Sequence, residues 1–495
     1  MDKIYLSKSR YCRAFQCNKM LWMDRFMSDE KDSESKESVF ENGRKVGELA
    51  KGLFGKYVNI EYNEDLNVMV SETFKEMKNS PNVINEASFC FDNNFCSVDI
   101  LKNDTDGIEI YEVKSSTHVT DIYLEDASYQ YFVLKSLGYN VKKVCIVYLN
   151  KEYIRKGKLE PDKLFNIKDI TEIAISKMEE INNKITEINE FMKEHPEEKV
   201  PNVKVGIHCV KPYLCDYFKF CLGKLPKNNV FDIPNMSFKT KFKLYSSGKV
   251  DFKDLRKEKL NKNYLQQIEF ELDEKEPKID VKEIKKFLES LSYPLYFLDF
   301  ETFDVAIPEY DYTSPYMQVP FQYSLHYITK ENGKLMHKEF LAEANEDPRR
   351  KLAERLVKDI PKDLCVLAYN MSFEKSVIKK LAKLYPDLSE HLLNITENMK
   401  DLMVPFRKRH YYARQMQGSY SIKYVLPALF QDDKNLDYHN LDLVHNGKEA
   451  SNTFLSLKNM AEEEQKVLRE SLLKYCRLDT YAMVKTFEKL KEEVL

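Results

Sequence analysis

The sequence predicts an α/β protein of two domains joined by a connecting stretch, and three observations carry that expectation. The chain has 495 residues, beyond the roughly 250–300 at which a single hydrophobic core stops growing. Two stretches, one from residue 89 and one after Pro294, alternate short apolar runs with helical periodicity. Between them, residues 223–290 are lysine-rich and weakly periodic, which marks a connecting region with parts packed on one domain or the other. The expected division is therefore 1–222, 223–290 and 291–495.

The chain opens on helices: after Ser7-Lys8-Ser9-Arg10, residues Phe15, Leu21, Trp22 and Phe26 recur at roughly helical spacing. A charged, serine-rich stretch over 28–38 reads as a loop. Short strands are expected at 89–91, 96–101 and 109–114, then a helix over 125–137 and a strand at 141–149, an order that makes a compact mixed sheet. Residues 168–195 place Ile170, Ala174, Met178, Ile181 and Ile185 on one face and predict a long amphipathic helix. In the second half the expected strands are 295–300, 322–328, 338–341 and 365–368, with helices at 349–359 and 373–384 and a closing helix from 461 to about 493.

Composition narrows the function classes. Hydrophobic residues make up 43% and aromatics 12%, enough to build cores. With 77 basic against 80 acidic residues the formal charge is −3, so the chain lacks the global positive charge of a nucleic-acid-coating protein, and any positive groove is local. A catalytic nuclease tolerates this, because metal ions supply much of the charge that meets phosphate. No run approaches the roughly 18 apolar residues of a membrane span, and the start lacks a signal-peptide apolar region. The expected location is the cytoplasm, where clustered cysteines are more often metal ligands than disulfides. Of the ten cysteines, Cys90, Cys96, Cys145, Cys365 and Cys476 sit in apolar or strand-like runs and read as core residues.

The first chemical constellation is Asp99 with Glu112-Val113-Lys114. Period-two geometry puts Glu112 and Lys114 on one strand face, where they can converge with Asp99 from the neighbouring strand. Two carboxylates hold Mg²⁺ or Mn²⁺, and a lysine positions or activates the attacking water. The spacing alone also fits a solvated strand edge. Together with Gln130 in the following helix, these residues resemble the RecB-type PD-(D/E)XK nucleases, in particular the iron-sulfur branch that includes the CRISPR-adaptation nuclease and AddB. That resemblance implies a restriction-endonuclease-like mixed sheet and a [4Fe-4S] cluster on Cys17, Cys209, Cys215 and Cys221, stapling the two ends of the domain. A zinc site, with His208 or Cys17 beside the later cysteines, is the alternative. Three features depart from the branch. The last three cysteines are evenly spaced, Gly47 stands where a histidine is usual, with Glu48 as a substitute metal ligand, and Leu134 replaces the tyrosine four residues after Gln130.

The second constellation is Asp299-Phe300-Glu301 at the end of an apolar run, with Glu374 at a strand-to-helix junction and Tyr475 and Asp479 one turn apart on the closing helix. Acids drawn from strand, loop and helix are what a two-metal phosphodiesterase needs. The set resembles the DEDD exonucleases of the DnaQ and RNase T type, in the subgroup whose last motif carries tyrosine. It implies a ribonuclease H-like fold, metal ligation by Asp299, Glu301, Glu374 and Asp479, and a water-orienting Tyr475. Glu374 departs from the usual aspartate, and Asp401 is a reserve acid that also reads as an ordinary solvated residue. The run Phe406-Arg407-Lys408-Arg409-His410-Tyr411-Tyr412 is basic and aromatic, of a kind that tracks phosphates, although such runs are also solvated faces. The segment Gly418-Ser419-Tyr420-Ser421-Ile422-Lys423 resembles a groove-shaping piece of the same exonucleases.

As a whole the chain resembles a prokaryotic family that fuses these two parts. The implied function is metal-dependent hydrolysis of nucleic-acid ends, DNA ahead of RNA, in repair, recombination or defence, with a 3′–5′ exonuclease in the second domain. The rivals are an RNA-directed exonuclease and a non-catalytic nucleic-acid-binding scaffold with degenerate sites.

Overall fold

A computed structural model describes residues 5–32, 37–79, 81–431, 433, 436 and 441–495. The chain divides into two compact units of mixed α/β structure: unit 1 is Met1–Lys224 with Val305–Tyr316, and unit 2 is Leu225–Asp304 with Met317–Leu495. No helix among the described residues is long and apolar enough to cross a membrane.

In unit 1 the described strands form one seven-stranded mixed sheet. They are β1 Leu6–Ser7, β2 Val58–Asn59, β3 Val83–Phe91, β4 Asn94–Asp104, β5 Gly107–Lys114, β6 Val141–Leu149 and β7 Phe165–Asp169. The order is β2-β3-β4-β5-β6-β7, with β1 paired parallel to β4. Asp92 and Asn93, both at positive φ (48° and 65°), make the turn from β3 to β4, as a two-residue hairpin requires. β5 and β6 run parallel, and helix Asp121–Ser136, buried along most of its length, makes the crossover between them. Tyr111 and Val113 of β5 face a core cluster with Val46, Ala50 and Val147, so alternation turns Glu112 and Lys114 toward that helix.

Several boundaries differ from expectation in unit 1. The stretch 168–195 opens as the end of β7, antiparallel to β6, and continues as helices Thr171–Ser176 and Met178–Glu194, on which Ala174, Ile181 and Ile185 are buried. Residues 89–91 are the end of the longer β3. Within 28–38, Ser28–Glu30 forms a 3₁₀ turn and a helix resumes at Glu37, while 33–36 lie outside the described residues. Residues 305–316, expected in the second domain, belong to unit 1: Ala306, Ile307 and Tyr316 pack in its core cluster, and Arg155 Nη1 donates to the carbonyls of Pro308 and Glu309 at 2.9 and 2.8 Å.

Unit 2 begins with the stretch expected to connect, and that stretch is folded. Helices Phe238–Ser246, Phe252–Leu255, Lys262–Leu272 and Val281–Glu289 follow one another there. Val230, Ile233, Leu244, Phe252, Leu255 and Ile268 form a small core of their own, and β8 Lys278–Ile279 pairs with Tyr411–Tyr412. The main sheet contains β9 Leu295–Phe303, β10 Val319–Ile328, β11 Leu335–Leu341, β12 Cys365–Ala368 and β13 Met399–Asp401, in the order β11-β10-β9-β12-β13. Tyr296, Leu298 and Phe300 face one core, and Leu295 and Phe297 face the other, beside Met483, Val484 and Phe487 of helix Glu462–Glu492. The same alternation turns Asp299 and Glu301 toward that last helix. β12 pairs with β9 only through Phe297, so both carboxylates lie beyond the paired ends of two parallel strands, where open α/β sheets form crevices.

Candidate active sites

The first site is centred on Glu112, whose side chain is 2% exposed. Its carboxylate accepts from Lys8 Nζ at 2.9 Å on both oxygens, from Lys114 Nζ at 2.6 Å and from Gln130 Nε2 at 2.6 Å. Asp99 accepts the backbone N–H of Val113 at 2.7 Å and approaches Lys8 Nζ at 3.5 Å. Lys114 also bridges to Asp126 on the crossover helix, one turn before Gln130. The strands bring Asp99, Glu112 and Lys114 together, and the crossover helix adds Gln130. Burial opposes ionisation of Glu112, yet Lys114 and Lys8 hold it far below the usual carboxylate range. Burial, then the charge of Glu112, pushes Asp99 up to about 7. Lys114 resists the effect of its own burial because Asp126 and Glu112 stabilise the ammonium, which places it as a positive charge beside the carboxylates.

Three further residues, none of them anticipated, join this cluster. Lys8 comes from the first helix, 91 residues before Asp99. Glu86, at φ 56°, sits across from Asp99, between the register pairs Asn85↔Ile100 and Ala87↔Val98; burial raises its pKa. Asp126 is the third. Glu48, expected as a substitute ligand, is 60% exposed and paired with Lys51 at 2.7 Å; it reaches the cluster only as a charge near Glu86. A Cβ on Gly47 would meet nothing within 4 Å, and Leu134 is fully buried. The donor set fits a hard cation: oxygens dominate, and Gln130 Oε1 is buried without a hydrogen-bond partner.

The cysteines Cys17, Cys209, Cys215 and Cys221 line one small pocket with Met20, His208 and Tyr217, drawing residues from both ends of the main segment of unit 1. Cys17 separates the first two helices, and Cys209 and Cys215 are buried. Burial first, and then neighbouring thiols, pushes Cys215 up to about 11 and raises Cys209. Metal coordination is what deprotonates thiols in such surroundings, so the set is chemically suited to a thiolate-ligated group.

In unit 2, Asp299, Glu301 and the thiol of Cys476 offer ligand atoms within 4.8 Å of one another. Cys476 is buried in the last helix between Tyr475 and Asp479, and its thiol donates to the Asp299 carbonyl at 3.9 Å. Burial and then the charge of Asp479 raise the pKa values of Asp299 and Glu301, with Glu374 adding to both and Lys423 opposing at Glu301. Glu374 is 2% exposed, is pushed up to about 8 by burial, and keeps Oε2 without a hydrogen-bond partner. Asp299, Glu301, Glu374 and Asp479 therefore form one electrostatic group, with Tyr475 one turn away on the face of Asp479. Crowded, proton-retaining carboxyls with an orphaned oxygen fit divalent cations, whose charge replaces the protons.

Asp401 is buried and spends Oδ1 on the backbone N–H groups of Asn370 and Met403, each at 3.0 Å, so it shapes the turn before Glu374. The run 406–412 is mostly core: Phe406, Arg409, Tyr411 and Tyr412 are buried. The Arg409 guanidinium stacks on Tyr412 at 4.2 Å and donates to Gly418 O at 2.8 Å. Only Arg407 and Lys408 of its cations are exposed, because β8 and the core containing Leu295 and Phe297 take the aromatic residues. The segment 418–423 does border the site, through Tyr369 donating to Tyr420 O at 2.7 Å and through Lys423. Gly447, which opens helix Gly447–Leu457, was not anticipated; a Cβ there would lie 3.4 Å from Glu301 Oε2.

Comparison with known proteins adds one finding. A family model described as a domain of unknown function (DUF2779) matches residues 296–421, which span Asp299, Glu301 and Glu374. No curated protein and no solved structure matches the chain.

Proposed function

We propose that the chain is a divalent-metal-dependent nuclease with two phosphodiesterase sites, one per unit. The observation that carries this reading is the gathering of Asp299, Glu301, Glu374 and Asp479 from a strand, a strand-to-helix junction and a helix, with one buried carboxylate oxygen unpaired. Unit 2 is read as a 3′–5′ exonuclease of the DnaQ and RNase T kind with a ribonuclease H-like fold, and unit 1 as a RecB-type nuclease with a restriction-endonuclease-like sheet. The substrate is DNA ends, in the cytoplasm, during repair, recombination or defence.

Bound at these carboxylates, Mg²⁺ or Mn²⁺ would polarise the phosphodiester and acidify water. Asp99 and Glu112 would hold the ion in unit 1, and the four acids would do so in unit 2. Gln130 keeps the Glu112 carboxylate oriented, and the Lys114 ammonium meets the negative charge that grows on phosphate. Tyr475, on the same helix face as Asp479, orients the attacking water. The four pocket cysteines would ligate a [4Fe-4S] cluster, with zinc as the alternative that metal analysis and absorbance near 400 nm distinguish.

The test is cleavage of end-labelled single-stranded DNA, duplex DNA and RNA with Mn²⁺ by anaerobically purified protein. Lys114→Ala is expected to abolish one activity and Asp479→Ala a 3′-end ladder, each leaving the other intact. Preferential cutting of RNA replaces the DNA reading with the RNA-directed one. Binding without cleavage of any substrate by the unsubstituted protein sinks the nuclease reading in favour of a scaffold.

A further inference from the structure

Between Cys209 and Cys215 the chain makes a short loop that is tied down at its base and open at its tip. Cys215 N–H donates to Cys209 O at 2.8 Å, and the Gln16 side-chain amide donates to the carbonyls of His208 and Tyr213, both at 2.8 Å. Lys211, Pro212, Tyr213 and Leu214 are consecutively exposed, with Tyr213 at 54% and Leu214 at 58%. The tip thus offers an aromatic ring and an aliphatic side chain next to each other, open to a ligand. The Tyr213 hydroxyl lies close enough to Tyr123 and to Lys114 to feel both electrostatically. Tyr123 in turn carries the Lys114 ammonium over its ring at 5.3 Å. With its carbonyl tied to Gln16, Tyr213 presents an exposed flat face close to Tyr123, whose ring lies under the lysine of the first site.

We propose that Tyr213 is a stacking platform for an unpaired nucleobase of the strand presented to the Glu112–Lys114 site. The inference rests on the nuclease reading of unit 1 and goes beyond it by naming the form of substrate: a single strand or a frayed end. A base inside a duplex has both faces covered by its neighbours, whereas an unpaired base offers a face to an aromatic ring. Lys211, exposed on the same loop, supplies a positive charge to the backbone of that strand. Tyr123, near Tyr213 and under the Lys114 ammonium, links the platform to the site.

The experiment uses full-length protein carrying Asp479→Ala, so that only the first activity remains. A single-stranded oligonucleotide with 2-aminopurine, which is quenched on stacking, is compared with a blunt duplex carrying the same label. The chain's one tryptophan, Trp22, is fully buried and does not compete as a stacking partner. Tyr213→Ala is expected to raise KM for the single strand about tenfold, as loss of one base–aromatic stack does, with kcat little changed and quenching lost. Tyr213→Phe keeps the ring and is expected to keep the quenching. Unchanged KM and unchanged quenching in Tyr213→Ala overturn the platform, as does an equal loss on blunt duplex, which has no unpaired base to stack. If the protein cuts nothing, the nuclease reading fails, while quenching that depends on Tyr213 still upholds the platform and quenching that does not overturns it.

Discussion

Lys8 stands where a cation belongs, its ammonium shared by Asp99 and both oxygens of Glu112. Removing one partner from such a largely buried cluster leaves its carboxylates uncompensated, a loss of about 3 kcal/mol. Lys8→Met is therefore expected to lower the melting temperature of metal-free protein and to tighten Mn²⁺ binding at this site, with Mn²⁺ restoring most of the lost stability. Titration followed by electron paramagnetic resonance and thermal melts reads both; weaker Mn²⁺ binding in the variant would contradict this account. The contrast with Glu112 and Lys114 shows what is legible at this scale. Those two are close in sequence and set by strand periodicity, while Gln130 was placed by family resemblance. Lys8 and Glu86 arrive by strand order and register, which no local pattern encodes.

Helix Glu462–Glu492 is the element that completes the second site, because Tyr475, Cys476 and Asp479 share it. Its register is fixed by Thr480, fully buried beside Asp479: the hydroxyl lies 2.6 Å from Ser324 Oγ and 2.8 Å from His326 Nδ1, both on β10. Burial keeps His326 neutral, with its pKa depressed to about 3, so this link does not titrate near neutral pH. Thr480→Val keeps the shape and removes the hydroxyl, leaving two buried polar groups short of a partner, at about 1–3 kcal/mol. The expected result is a lower melting temperature and a loss of unit 2 cleavage, with unit 1 cleavage unchanged. Undiminished unit 2 activity would show that Asp479 is placed by other contacts. The closing helix was legible in the sequence within a residue at each end. The helices of 225–290 were not, since they are short and lysine-rich and their apolar stripes are brief. Their starts did leave a signal, as Ser237, Asp251, Asn261 and Asp280 each cap a helix with the side chain.

Across the whole chain, both sites hold acids whose folded pKa values lie above their unfolded ones: Asp99 near 7, Glu374 near 8, and Asp299 and Glu301 raised as well. A group of this kind binds its proton more tightly when folded. Its contribution to stability is fully present below the unfolded pKa, near 4 for carboxyls, and is lost as pH rises through the folded value. Glu112, held low by its lysines, works in the opposite direction, but its shift lies in the acid range where its stabilising effect is already complete by pH 5. Metal-free protein is accordingly expected to lose thermal stability between about pH 5 and pH 8. Saturating Mn²⁺ supplies positive charge in place of the protons and flattens that decline. The same exchange requires protons to leave as metal binds, so calorimetric titrations at pH 7 in buffers of different ionisation enthalpy should give different apparent heats. Identical heats in every buffer, together with a melting temperature that does not fall with pH, would mean that these carboxyls are ionised before metal arrives and that the two clusters are not poised by burial.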